Sequence, residues 1–83
     1  MQVTIRLGEP FWRPLGRREL SLELGADARV ADLLAALAAL DPALAGELQA
    51  APPQVFVGDG EADDATPLAP GARVHLLWPV AGG

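Results

Sequence analysis

The chain closes on WPVAGG, and its last two residues, Gly82 and Gly83, are those best suited to chemistry. Glycine has no Cβ, so an arm ending in two of them can thread a narrow channel and present its carboxylate to another protein's active site. Pro79 cannot continue a central ladder, so Val80 to Gly83 are expected to leave the last strand as an extended arm. The plain alternative is an ordinary frayed terminus.

The other residues capable of chemistry are few and scattered. Cysteine is absent, which excludes disulfides, thiolate metal sites and a cysteine nucleophile. The single histidine, His75, cannot form a multi-histidine metal site and reads as an exposed or edge residue of the final strand. Ser21 is the only serine and belongs to a strand pattern, so no Ser-His-Asp set stands out. GDG at 58–60 lacks the GK[ST] that would make a phosphate-binding loop. Asp59, Glu61, Asp63 and Asp64 cluster, but without the spacing or the bidentate glutamate of a calcium loop, and they read as a solvated turn. Arg13, Arg17 and Arg18 lie beside Phe11 and Trp12 like a scrap of nucleic-acid surface. In an acidic chain the better reading is a hairpin loop whose aromatics either cover the end of the core or meet a partner.

Composition sets the scale. Eighty-three residues make one domain with one modest core and no room for a deep cofactor cleft. Such a protein works through its surface, its termini or a partner. Eleven acids against six bases give a net charge of −5. That argues against nucleic acid, which demands a basic footprint, and favours a protein partner with a basic surface. All six bases are arginine, as a GC-rich coding sequence would give; one consequence is that no lysine amine competes for an activated terminus. No segment has the apolar length of a signal peptide or a membrane span, so a cytoplasmic location without membrane partners is expected.

The elements that must position the tail follow from periodicity. QVTIRL at 2–7 and ELSLEL at 19–24 alternate polar and apolar residues, the pattern of strands with one buried face. The intervening GEPFWRPLGRR is punctuated by two prolines and two glycines, so the pair forms a hairpin with a long loop. Val30, Leu33, Leu34, Leu37 and Ala38 then fall on one helical stripe, with Asp27 expected as its cap or in its first turn. Asp41-Pro42 is a stop-and-restart signal: Asp41 caps a short second helix that carries Leu44 and Leu48 inward. QVFV at 54–57 is a strand, GDG a turn, and 61–66 can hold a very short edge strand. Leu68 anchors the turn-rich connection to a last strand, in which Val74 and Leu76 share one face and His75 and Leu77 the other. This order predicts an α+β fold of β-grasp type over residues 1–83. One main helix crosses a mixed sheet whose first and last strands lie together at the centre, and 79–83 form a flexible tail.

RVADLLAAL at 29–37, DPALAG at 41–46, TPLAPGARV at 66–74 and LLWPVAGG at 76–83 resemble, in that order, the family of the small subunit of molybdopterin synthase. Its ubiquitin-like sulfur-carrier relatives include the thiamine-pathway carrier. Three stretches depart from it: Arg29 stands where a threonine cap is frequent, Trp78 replaces a frequent proline, and the loop after the first strand is unusual. The resemblance implies a carrier rather than an enzyme, with no bound cofactor. An E1-like adenylyltransferase would use ATP to activate Gly83, and a persulfide-bearing enzyme would convert it to a thiocarboxylate. Gly82, Ala81 and Val80 would thread the partner's active site. Leu77 falls where the family carries an exposed apolar contact, and Trp78, Phe11 and Trp12 join it as partner-contact candidates. The large subunit of molybdopterin synthase is the favoured acceptor, with thiamine, cysteine or tRNA thiolation as alternatives. Conjugation to target proteins through Gly83, or plain binding, are the other classes.

Overall fold

The computed structural model describes residues 1–78. The elements run β1 (Gln2–Leu7), β2 (Glu19–Glu23), α1 (Val30–Leu40), α2 (Pro42–Ala50), β3 (Gln54–Val57), β4 (Gly60–Ala62) and β5 (Arg73–Leu77). The strands form one mixed sheet in the order β2-β1-β5-β3-β4. β1 and β5 are parallel neighbours, with Ile5 opposite Val74 and Leu7 opposite Leu76, and every other pair is antiparallel. This is the β-grasp arrangement that the element order predicts.

Alternation gives the sheet one dry face. Val3, Ile5, Leu7, Leu20, Val55, Val74 and Leu76 are buried against Val30, Leu33 and Leu37 of α1 and Leu44 of α2. Leu68 anchors the connection into β5 from the same cluster, and its N–H donates to the Ala28 carbonyl at 3.0 Å. Leu34 and Leu48 pack at the margin, partly buried.

Both helix starts are capped, by different means. At α2 the Asp41 carboxylate accepts from the N–H groups of Ala43 at 2.8 Å and Leu44 at 3.2 Å, with Pro42 in the first turn, as the sequence predicts. At α1 the expectation for Asp27 fails: the helix begins at Val30, Arg29 is its N-cap, and Asp27 lies in the preceding turn. An arginine side chain cannot accept a hydrogen bond. The orphan donors of the first turn are met from downstream instead, by the carbonyls of Thr66 and Asp64, each at 3.0 Å from Val30 N and Ala31 N. Arg29 ties the two segments together through Nη1 to the Ala65 carbonyl at 2.6 Å, and its own N–H donates to the Asp32 carboxylate at 2.8 Å.

The β3–β4 hairpin is tighter than the sequence suggests. Val57 pairs with Gly60, so the turn is Gly58-Asp59 alone and Gly60 belongs to the strand. Gly58 has φ +60°, a conformation that costs glycine nothing. Downstream, Asp63 holds a turn by accepting from Ala65 N at 2.9 Å and from Thr66 Oγ1 at 3.2 Å. Among the described residues no group of three histidine or acidic side chains gathers to hold a metal. None of the helices among them is long and apolar enough to cross a membrane.

Candidate functional site

β5 is the last strand before residues 79–83, and it is hydrogen-bonded on both sides, to β1 and to β3. Val74 and Leu76 turn into the core, while His75 and Leu77 lie half-buried on the other face. Trp78 is the last residue described. It is 50% exposed, with Leu40 one of the two large apolar side chains most open to solvent among the described residues.

The end of β5 rests on the loop that follows β1. Gly8 N–H donates to the Leu76 carbonyl at 2.8 Å. A Cβ at Gly8 would lie 3.0 Å from that oxygen and 3.3 Å from Leu77 Cδ2, so the close approach of the two backbones favours glycine. The sequence marks Gly8 only as loop punctuation. Its contact role depends on Leu76, 68 residues further along the chain, which no local rule connects to it.

Beyond Gly8 the loop folds on itself, with Phe11 N donating to the Gly8 carbonyl and Gly16 N to that of Trp12, both at 2.9 Å. Phe11 is fully buried. Its ring packs under Trp78 with centroids 6.2 Å apart and planes tilted by 33°, within the range of favourable aromatic pairs. Of the two roles the sequence leaves open for Phe11, covering the core is the one it takes. A side chain with no exposed surface offers nothing to a partner, so Phe11 leaves the partner-contact set. Trp12 is half-buried in the same loop, with the Arg18 guanidinium 4.6 Å above its ring.

Glu9 and Arg13 close the loop as an exposed ion pair at 2.7 Å. The Glu9 carboxyl is held below the usual range, first by the Trp12 indole N–H. Burial opposes this, and the charges of Arg13 and Arg18 add to it. The indole nitrogen reaches no partner at hydrogen-bond geometry, so its effect on Glu9 is that of a neighbouring dipole rather than a formed bond.

The structure thus brings Phe11 and Trp78 together at the end of β5, with Trp12 in the same loop and Leu77 on the opposite face of the strand. The arrangement is a mount. It can aim and steady a segment leaving β5, while its own side chains are chiefly apolar. Val80, Ala81, Gly82 and Gly83, and the whole expected tail 79–83, lie outside the described residues.

Solved structures of similar fold are plentiful. SAMP1 from Haloferax volcanii superposes with a TM-score of 0.84 at 25% identity over the full length of both chains. The HVO 2177 protein of the same organism gives 0.83 at 29% identity, covering all of this chain and 87% of the other. A chain in the complex of subunits 1 and 2 of the molybdopterin-converting factor from Helicobacter pylori 26695 gives 0.68 at 25% identity, again over both full lengths. No protein-family model matches the sequence, and no curated protein matches it significantly.

Proposed function

In structure the chain is a neighbour of the ubiquitin-like sulfur-carrier family, and from that premise we propose that it carries sulfur as a thiocarboxylate on Gly83. The observation that supports this most directly is the mount at the end of β5. A central strand, braced by Gly8 and capped by the Phe11–Trp78 pair, is followed in the sequence by PVAGG.

A carboxylate is a poor electrophile and must be activated. An E1-like adenylyltransferase attaches AMP from ATP to the Gly83 carboxylate, with pyrophosphate leaving. A persulfide sulfur then displaces AMP, and cleavage of the resulting S–S bond by a thiol leaves the thiocarboxylate. The carrier contributes delivery and orientation, and each partner contributes the electrostatics of its own active site. The need for ATP and a reducing thiol favours the cytoplasm as the compartment for this cycle. The favoured acceptor is the large subunit of a molybdopterin synthase, a reading supported by the likeness to a chain from the subunit 1 and 2 complex. The stronger superposition on SAMP1, with a TM-score of 0.84 against 0.68, favours a second use, conjugation to target proteins through Gly83.

Intact-mass spectrometry of the protein, co-expressed with its activating enzyme and sulfur donor, separates these. Exchange of oxygen for sulfur has nominally the mass of oxidising Met1 or a tryptophan, so the sample is alkylated first. With no cysteine in the chain, a single adduct is expected, mapped to Gly83 and lost when Gly83 is deleted. Heavier adducts joined to lysines of other proteins would mark the modifier role. An unaltered terminus with active partners would overturn both.

A further inference from the structure

The sheet is bounded by two edge strands, β4 and β2. β4 is three residues long, whereas β2 offers five, Glu19–Glu23, with no proline among them. Register decides which backbone groups of β2 are already used. At the two ends of its ladder Leu24 N–H donates to the Met1 carbonyl and Leu7 N–H to the Arg18 carbonyl, both at 2.7 Å. Bonded and non-bonded pairs alternate along an antiparallel ladder, so Val3–Leu22 and Ile5–Leu20 are the bonded pairs in between. The N–H and C=O groups of Glu19, Ser21 and Glu23 therefore point away from β1, and among the described residues no strand lies beside them.

An open groove of about 740 Å³ follows this edge, and its two sides differ. Toward the helices it is apolar, lined by Leu20, by half-buried Leu22 and by Leu40, the exposed last residue of α1. Toward the open face of the sheet stand Glu19 and Ser21, and Glu23 continues their row. Both acids are accessible. The Glu23 side chain is 77% exposed while holding the Met1 ammonium at 2.9 Å, and Glu19 belongs to neither ion pair found among the described residues. Arg6 lies opposite Glu19 on β1, and Arg73 lies on β5. With strands about 4.8 Å apart, both stand further from an added strand than the two glutamates do. Arg17, ahead of the strand, marks one end of the groove.

We propose that the edge of β2 takes up an extended, basic segment of a partner protein as a sixth strand. Its apolar side chains lie at alternate positions against Leu20, Leu22 and Leu40, and the lysines or arginines between them face Glu19 and Glu23. Main-chain hydrogen bonds to the outward groups give affinity, and the two side-chain rows give specificity. The same acids turn away a second copy of this chain. Two β2 strands paired antiparallel about Ser21 set Glu19 of each directly opposite Glu23 of the other, and like charges so placed are destabilising. A partner with a basic surface is what the net charge of −5 leads one to expect, and the edge narrows that expectation to one strand. The inference does not depend on what Gly83 carries.

The test is amide hydrogen exchange of the ¹⁵N-labelled full chain, read by NMR, with and without a capped hexapeptide of alternating lysine and valine. The peptide is expected to slow exchange at Glu19, Ser21 and Glu23, while Leu20 and Leu22, already bonded to β1, change least. Ser21→Pro removes an outward donor without touching the bonds to β1, and should abolish binding. E19Q/E23Q keeps every backbone group and should bind roughly 2- to 30-fold more weakly, with an amide spectrum otherwise like that of the parent. The same peptide N-methylated throughout should not bind. Four results overturn the inference: no slowing at those three amides, equal binding of the N-methylated peptide, equal or tighter binding of a glutamate-valine peptide, or slowing of the same amides by self-association of the chain alone.

Discussion

Replacing Phe11 by alanine tests whether the loop at 8–18 is part of the core. Phe11 has no exposed surface and sits in the same cluster as Leu7, Val74 and Leu76. Emptying such a site removes the transfer free energy of the ring and leaves a cavity, together costing about 3–5 kcal/mol. An 83-residue domain has about 4–12 kcal/mol of stability in all, at about 0.05–0.15 per residue. The variant should therefore lose about a quarter or more of its stability. At about 4–8 °C per kcal/mol for a domain of this size, the midpoint of thermal unfolding should fall by at least about 12 °C. Trp78→Ala is the internal comparison. That ring is half exposed, and its pairing with Phe11 contributes about 0.5–1.5 kcal/mol beyond area. Its loss should move the midpoint far less. Thermal melts followed by circular dichroism, with urea titrations for the free energies, read both. A Phe11→Ala penalty below about 1 kcal/mol, or one no larger than that of Trp78→Ala, would refute the placement of Phe11 in the core.

Two glycines should respond to alanine with opposite signs in urea unfolding. Gly8→Ala forces a methyl against the Leu76 oxygen, which the Gly8 N–H itself holds in place, and should destabilise by about 1–3 kcal/mol. Gly46→Ala, in α2 with nothing within 4 Å of the new Cβ, should stabilise by about 0.5–1 kcal/mol. Glu9→Gln should change the acid limb of the stability profile. Because the folded carboxyl titrates below its ordinary value, its contribution is complete above the unfolded-state value of about 4.3 and is lost as pH falls through the lower folded value. The difference between parent and variant should thus be present at neutral pH and vanish in strong acid. A constant offset across the whole range would show that the ion pair and indole dipole do not act on Glu9 as described.

Where the sequence carries a local period, the fold is readable from it. Val30, Leu33 and Leu37 repeat at helical spacing, and Val74 and Leu76 alternate, because each pattern records a face that must be dry. Asp41-Pro42 is equally plain, since cap and first turn are adjacent in the chain. What escaped are the contacts made between distant segments. Asp27 looked like the start of α1, but the first turn is capped by carbonyls of a loop after β4 that no local rule connects to it. Phe11 sits among prolines and glycines without periodicity, so its burial depends on the end of β5 arriving above it. The candidate site divides the same way. Leu77 and Trp78 are readable from the final strand, whereas the seating of Gly8 against Leu76 needs the parallel register of β1 and β5.

That parallel register also decides how the molecule bears load. A partner that grips the segment after Trp78 and draws it away pulls β5 lengthwise. The hydrogen bonds to β1 on one side and β3 on the other lie across that direction, and they share the tension in shear rather than opening one after another. An edge strand such as β4, held along one border only, would peel. On the proposed reading of Gly83 as the working end, that end follows the strand with two neighbours, so a pull from a partner would leave the body closed.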